Sequence, residues 1–343
     1  MIYISLICLI YFGQVTNKYT NKKFDKYIWC LLFVIILICL GLRDNIGGDW
    51  ESYLKLFYNQ NLLGRGIQSE SLFYYLMFFF SKFDLSIYYF NFFTYSIFLI
   101  SIFIFCSNLE FRYLALLSSM PYLVIIVATG YLKQTLAISF LLLFLISYFK
   151  GYKKYQILFL TFSIFSHFSA FVYSFFLINR KHFIYIILLL SIFVILKFND
   201  IYDLLYTYFF EYDKTSKGFI SRLLINIFYL VPIIILFFRS KLNSYEKKIL
   251  LFNIIFLTFA IISFLIFKNI STLLDRMCLY LIILYPLYTN IIFNNLIHLP
   301  LINKCSFNQA TFLFFIFNIL IFYLWSKFGN AYQYWTPYKN ILL

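Results

Sequence analysis

Charged side chains are few in this sequence. Those at the ends or bends of its apolar stretches have types suited to anion binding and proton transfer. The densest group is Gly41-Leu-Arg-Asp-Asn-Ile-Gly-Gly-Asp-Trp-Glu-Ser-Tyr53. Arg43 offers a guanidinium to an anion, and Asp49 offers a carboxylate that can take a proton. Trp50 and Tyr53 supply flat aromatic faces suited to sugar rings, and the two glycines permit a tight turn. The same residue types would also serve a plain interfacial loop with a snorkelling arginine and an aromatic belt.

Four further places carry comparable chemistry. In Gly130-Tyr-Leu-Lys-Gln-Thr-Leu-Ala137, Lys133 opens a long apolar run at its expected outer end. A cation at a helix N-terminus opposes the helix dipole, yet free backbone N–H groups beside an ammonium make an anion site. A snorkelling lysine is the simpler reading. His167 lies in Phe-Ser-His-Phe-Ser inside an apolar stretch. A lone histidine there is commonly a satisfied core residue, whereas ionisable groups within membrane segments default to a functional hypothesis. Arg276 follows Asp275, and Arg222 sits where a polar stretch re-enters an apolar one. Both are able to snorkel, and Asp275 is able simply to neutralise Arg276.

The elements that hold these groups must suit an apolar solvent. Of 343 residues, 63% are hydrophobic, 24% aromatic and 12% charged, with a mean hydropathy of +0.86. Soluble globular chains carry about 25% charged residues, so a soluble enzyme, a disordered chain and a disulfide scaffold are all excluded. Apolar segments lie near 2–12, 27–42, 72–83, 85–106, 113–129, 131–149, 155–178, 183–198, 223–238, 249–267, 273–293 and 310–328. Irregular backbone cannot face lipid, and runs this long do not fit barrel strands, so the spans are expected to be helices. The fold expected is all-α: a single transmembrane domain over 1–343 with about ten full crossings. Polar loops are expected near 43–71 and 199–221, the second mixing Asp200, Asp203, Glu211 and Asp213 with tyrosines.

Two segments do not fit a simple crossing. At about 1.5 Å per residue, 72–83 gives about 18 Å of helix against a hydrocarbon core of about 30 Å. It is expected to be a half-helix dipping in from the outer face. Segment 155–178 has basic connections at both ends and is expected to break near His167, which is tolerated only where the break is buried or lines a water-filled cavity. The stretch from Ile2 to Phe12 has no basic residues before it and no A-x-A site after it, so a retained first helix is expected rather than a cleaved signal. The six cysteines show no ligand spacing and read as buried small hydrophobes.

Charge orients the chain. The connections around Lys18/Lys22/Lys23/Lys26, Lys150/Lys153/Lys154, Arg180/Lys181 and Arg239/Lys241/Lys247/Lys248 are the most basic, which places them in the cytoplasm. The cytoplasmic side then holds 15 of the 28 Lys/Arg and three of the 13 Asp/Glu, a net of +12; the outer side is left at +3. Arg43, Lys133, Arg222, Arg276 and a protonated His167 are expected to converge at the outer face, with Asp49 the nearest base. Such a group suits a doubly charged phosphate at the membrane surface, as in a lipid-linked pyrophosphate. There is no P-loop, GxGxxG, HExxH, GxSxG or DxD motif, so nothing argues for a nucleotide-driven pump or a metal site. Bilayer crossings between the basic stretches exclude a nucleic-acid partner.

In this pattern the chain resembles the bacterial O-antigen and exopolysaccharide polymerases of the EpsG-like Wzy group. Leu42-Arg-Asp-Asn-Ile-Gly-Gly-Asp-Trp-Glu-Ser-Tyr53 is similar to that family's Arg…Gly-x-Asp…Tyr loop. Glu70 with Tyr74-Tyr75 resembles its acidic start to a short aromatic segment. Leu132-Lys-Gln-Thr-Leu-Ala137 resembles its Arg-Gln-x-x-Ala helix start, and His167-Phe-Ser-Ala170 its His-x-Ser-Ala element. Arg276 with Tyr280, and Trp335-Thr-Pro-Tyr-Lys339, also fit. Lys133 stands where the family more often has arginine, which keeps the charge and loses the bidentate fork.

The resemblance implies a membrane glycosyltransferase with a GT-C-like helical architecture in the bacterial inner membrane, its active site facing the periplasm. It implies transfer of a growing glycan from undecaprenyl pyrophosphate to the next lipid-linked repeat unit, in lipopolysaccharide or related polysaccharide synthesis. A chain-length regulator protein is a further implied partner; no cofactor and no metal are implied. The implied catalytic residues are Asp49, Arg43, His167 and Arg276. Lys133, Arg222, Gln134, Tyr53, Trp50 and Glu70 are implied to bind the substrate and its pyrophosphate. A flippase for the same lipid would instead show repeat-related halves and mid-membrane polar residues, and neither is evident in the sequence. A ligase-like transferase would share the cations and differ in acceptor, and a non-catalytic scaffold would leave them unexplained.

Overall fold

Long apolar runs leave backbone N–H and C=O groups with no lipid or water to bond, so they close hydrogen bonds within each segment and become helices. The computed structural model describes residues 2–17, 20–58, 70–177, 218–239, 242–266, 271–297, 304–329 and 332–342. Within them the helices are α1 (Ile2–Thr16), α2 (Lys22–Ile36), α3 (Trp50–Phe57), α4 (Ser71–Lys82), α5 (Ile87–Ser107), α6 (Arg112–Ser119), α7 (Leu132–Phe149) and α8 (Lys153–Ser166). They continue with α9 (Gly218–Phe238), α10 (Ser244–Ile266), α11 (Ser271–Leu279), α12 (Tyr285–Ile297) and α13 (Lys304–Phe328). No strand occurs among the described residues.

Among the described residues, eight helical stretches are long and apolar enough to cross a bilayer: Lys22–Gly41, Ile87–Ser107, Arg112–Gly130, Leu132–Phe149, Gly218–Phe238, Ser244–Ile266, Leu274–Ile297 and Ser306–Phe328. The protein is therefore an all-α polytopic membrane protein. The apolar helix α1 has only 15 residues. The expected crossing at 183–198, and the loop from 199 to 217 with Asp200, Asp203, Glu211 and Asp213, lie outside the described residues.

The chain forms two compact units, one of 1–171 with 282–343 and one of 172–281. In the first, Tyr113–Gly130 is buried throughout, and its helix widens to π geometry over Met120–Val127, with Pro121 in the first turn of that segment. Arg112 and Tyr113 both bond the Asp25 carboxylate, Tyr113 Oη at 2.6 Å, which ties α6 to the first turn of α2. The Arg112 guanidinium also lies 4.8 Å from the Trp29 ring. Helices α7 and α8 form a hairpin about the left-handed Gly151 (φ +72) and pack along their lengths. The short α4 spans 12 residues, as the length of its apolar run predicts. After Ser166 the α-helix stops, His167 is extended, and the chain resumes as a 3₁₀ helix over Phe168–Leu177.

In the second unit, α9, α10 and α11 pack around Phe219, Ala260, Leu274 and Cys278. Arg222 on α9 and Asp275 on α11, both buried, form an ion pair at 2.5 Å. Tyr173 donates to the Tyr280 carbonyl at 2.8 Å.

Candidate active site

Glu70 is the hub. It immediately precedes α4 in a left-handed conformation (φ +49), which costs a residue with a Cβ about 1–2 kcal/mol and persists only where the surroundings impose it. Its carboxylate is shared. Oε2 accepts from Lys133 Nζ at 2.6 Å, and Oε1 is bonded by His167 Nδ1. The Lys133 ammonium also donates to Tyr74 Oη at 2.7 Å and lies 4.5 Å from the centre of that ring. Side-chain exposures of 13% for Glu70, 19% for His167 and 21% for Lys133 leave the cluster largely dry but reachable.

Each element delivers one group. Lys133 is the second residue of α7, and the carboxylate that meets it there satisfies a helix N-terminus that an ammonium alone would oppose. His167 stands at the break after α8, its N–H bonded to the Ser163 carbonyl. One turn before the break, Ser163 Oγ donates to the Ala137 carbonyl at 2.8 Å, one turn after Lys133. That bond fixes the height of the imidazole against the ammonium. Beneath them Tyr53, Phe73, Tyr74, Phe90, Leu132 and Leu136 make one apolar cluster joining α3, α4, α5 and α7.

Burial by itself would raise the Glu70 carboxyl. The hydrogen bond and charge of His167, and then those of Lys133, outweigh it and hold the group down at about 2. Glu70 is thus a fixed anion between two cation-forming side chains. With Nδ1 engaged by Glu70, the Nε2 nitrogen of His167 is the one able to take a proton. A carboxylate-oriented imidazole beside an ammonium can remove a hydroxyl proton and stabilise a departing anion.

The other residues singled out by sequence divide. Arg43 is 1% exposed and donates from Nε to the Thr129 carbonyl at 2.9 Å and from a terminal nitrogen to the Leu40 carbonyl at 3.1 Å. Burial draws its guanidinium down to about 10, against the raising effect of Tyr95, Tyr3 and Tyr338, so it remains a cation at neutral pH. Asp49 directly precedes α3. Trp50 is buried with its ring 5.8 Å from Tyr88, whose hydroxyl donates to Asp44 at 2.8 Å. Tyr53 belongs to the apolar cluster, and Gln134 is buried beside Lys133. Arg222 is paired with Asp275 in the second unit, where Arg276 is exposed. The five cations expected at one point are thus seen as Lys133 and His167 on one carboxylate, Arg43 buried on carbonyls, and Arg222 and Arg276 in the second unit.

Sequence reasoning did not find Asp44 and Tyr88, nor the way the C-terminal segment supports the site. Trp335 is fully buried, and its indole N–H donates to Thr129 Oγ1 at 2.7 Å. A Cβ on Gly130 would stand 2.4 Å from the Trp335 ring, and one on Gly47 (φ +112) only 2.8 Å from Gly130 Cα. Gly47 N–H donates to the Tyr334 carbonyl at 3.0 Å, and Arg43 pairs with Asn340 in a backbone bridge. The loop of Arg43, the turn before Lys133 and the C-terminal segment therefore interlock. The one signal for this was the aromatic run Trp335-Thr-Pro-Tyr-Lys339 itself.

These features define a polytopic helical membrane protein with a largely dry carboxylate–imidazole–ammonium cluster where one membrane-spanning helix starts and a second helix breaks. The chain belongs to the EpsG family, whose model matches residues 26–340, almost its whole length. With that membership comes a membrane polysaccharide-polymerase-like role. No curated protein and no solved structure gives a match.

Proposed function

We propose that this protein is the polymerase of a lipid-linked polysaccharide in the bacterial inner membrane. It transfers the growing glycan from undecaprenyl pyrophosphate to a sugar hydroxyl of the next lipid-linked repeat unit, at the periplasmic face. The observation that carries this reading is Glu70 bridging His167 and Lys133. The acceptor O–H breaks with its proton going to His167 Nε2. The sugar C1–O bond to the diphosphate breaks with its electron pair leaving on the diphosphate, and the acceptor oxygen forms the new bond to C1. Glu70 orients the imidazole and stabilises its charged form. Lys133 meets the diphosphate, and Asp49, Trp50 and Tyr53 position the acceptor. Arg43 holds the turn that carries Lys133. The activated lipid supplies the driving force, so the roles need only these side chains.

The test replaces Glu70 with Gln and His167 with Ala in a host lacking the native gene, at matched expression. General acid–base catalysis is worth about 10²–10⁴-fold. Long chains should therefore disappear, leaving single-repeat product at the outer face. Normal chain lengths in both variants would remove the site. Product trapped at the cytoplasmic face would point to a flippase. Long chains on the carrier lipid that fail only to reach their final acceptor would point to a ligase.

A further inference from the structure

The Glu70 carboxylate is divided between an imidazole and an ammonium on opposite oxygens, and only the ammonium is free to leave. His167 Nδ1 is set by the chain break and by the Ser163–Ala137 bond, which fix its backbone against α7. Lys133 reaches Glu70 with the end of a flexible stem, and its ammonium has three N–H donors, two of them on Glu70 Oε2 and Tyr74 Oη. Glu70, Tyr74, Lys133 and His167 are the titratable groups that these bonds join.

We propose that Lys133 is a handed-over cation: when a diphosphate docks, the ammonium swings from Glu70 to the diphosphate and leaves the Glu70 carboxylate to His167 alone. The geometry permits this without disturbing the imidazole, because Lys133 and His167 use different carboxylate oxygens. Tyr74 Oη, a neutral acceptor, is the pivot that keeps the ammonium in place during the exchange. The charges favour it as well, since a diphosphate carries more negative charge than one carboxylate and has several acceptor oxygens. Two consequences follow at one site. The donor diphosphate gains its cation, and Glu70, relieved of its second partner, draws the His167 Nδ1–H more strongly, which makes Nε2 a better proton acceptor. Proton abstraction is thereby coupled to donor occupancy, and an acceptor hydroxyl arriving first meets a weaker base. This deepens the polymerase reading and rests on it for the identity of the diphosphate.

The chain has three histidines, so the imidazoles can be followed individually by magic-angle-spinning NMR on the full protein in bilayers with labelled histidine. The His167 Nδ1–H resonance is assigned by its loss in His167→Gln. Adding inorganic pyrophosphate should move it downfield. In Lys133→Met the resonance should already sit downfield and respond no further, and in Lys133→Arg, which retains a cation, the response should persist. Bilayers containing undecaprenyl pyrophosphate should reproduce the shift, whereas phosphatidylglycerol alone should not; a shift with phosphatidylglycerol would mean that the site reads any lipid phosphate, and would overturn the assignment to a diphosphate. An unmoved resonance at millimolar pyrophosphate, or an equal shift in Lys133→Met, overturns the handover. Those outcomes leave the polymerase reading standing if Glu70→Gln still abolishes long chains, while long chains in Glu70→Gln with the shift intact would remove that reading instead.

Discussion

Glu70 collects partners from 63 and 97 residues away, and no local pattern announces such a meeting. What sequence offers is two halves of the contact. Lys133 sits against the preference of a helix N-terminus, and His167 sits where an apolar segment has to break; each marks a place where an anion is wanted. In sequence the anion Glu70 reads as the acidic start of a short aromatic segment and, through the family resemblance alone, as a substrate-binding residue, while the glycines and aromatics around Asp49 make that carboxylate the nearer base. Burial and pairing, which decide between carboxylates, are properties of the folded chain. The pairing has a pH consequence. Since the Glu70 carboxyl is held at about 2, below its ordinary 4.5, its interaction stabilises the folded state fully above the ordinary value and is lost as pH falls from about 4.5 through about 2. Thermal unfolding of the solubilised protein should show Glu70→Gln less stable than wild type at pH 7, with the gap closing below about pH 4. A gap that stays constant down to pH 3 would mean that the folded protein does not rely on the ionised form.

At the scale of elements, the sequence showed where helices begin and stop more clearly than what they lean on. The 12-residue α4 and the break after α8 follow from run length and from the basic connections around 155–178. The support of the Lys133 turn by the C-terminal segment does not, because Trp335 reads as one more interfacial aromatic until its ring is found against Gly130. That contact is testable by contrast. Gly130→Ala would drive a methyl group to 2.4 Å from a ring locked by its own hydrogen bond, whereas a methyl group at Gly48 meets its nearest neighbour at 3.9 Å, an ordinary contact. Overpacking of this kind costs about 1–3 kcal/mol, and emptying the site by Trp335→Ala about 3–5 kcal/mol. Unfolding midpoints in detergent should fall for Gly130→Ala and further for Trp335→Ala, with Gly48→Ala near wild type. If Gly48→Ala and Gly130→Ala lose equally, the indole is not what the glycine accommodates.

For the molecule as a whole, the formal net charge of +15 divides by the expected side of the membrane. By the positive-inside rule most of the excess falls in four basic connections expected in the cytoplasm, leaving a nearly balanced set expected on the outer side. Glu70, Lys133 and Asp44 belong to the set expected outside, and in the fold they are engaged with partners: Glu70 with Lys133 and His167, Asp44 with Tyr88. Asp25, in the set expected inside, is engaged as well: Arg112 and Tyr113 bond it between α2 and α6. Orientation therefore decides whether the Glu70 cluster can meet a substrate exported to the periplasm, and it can be measured without any assay of activity. In a background with the native cysteines replaced, Glu51→Cys on the exposed side of α3 should react with a membrane-impermeant maleimide in intact spheroplasts. Lys154→Cys, exposed at the start of α8, should react only after the membrane is opened. The reverse pattern would put the Glu70 cluster on the cytoplasmic side and remove the periplasmic reaction, whatever the variants of Glu70 and His167 do.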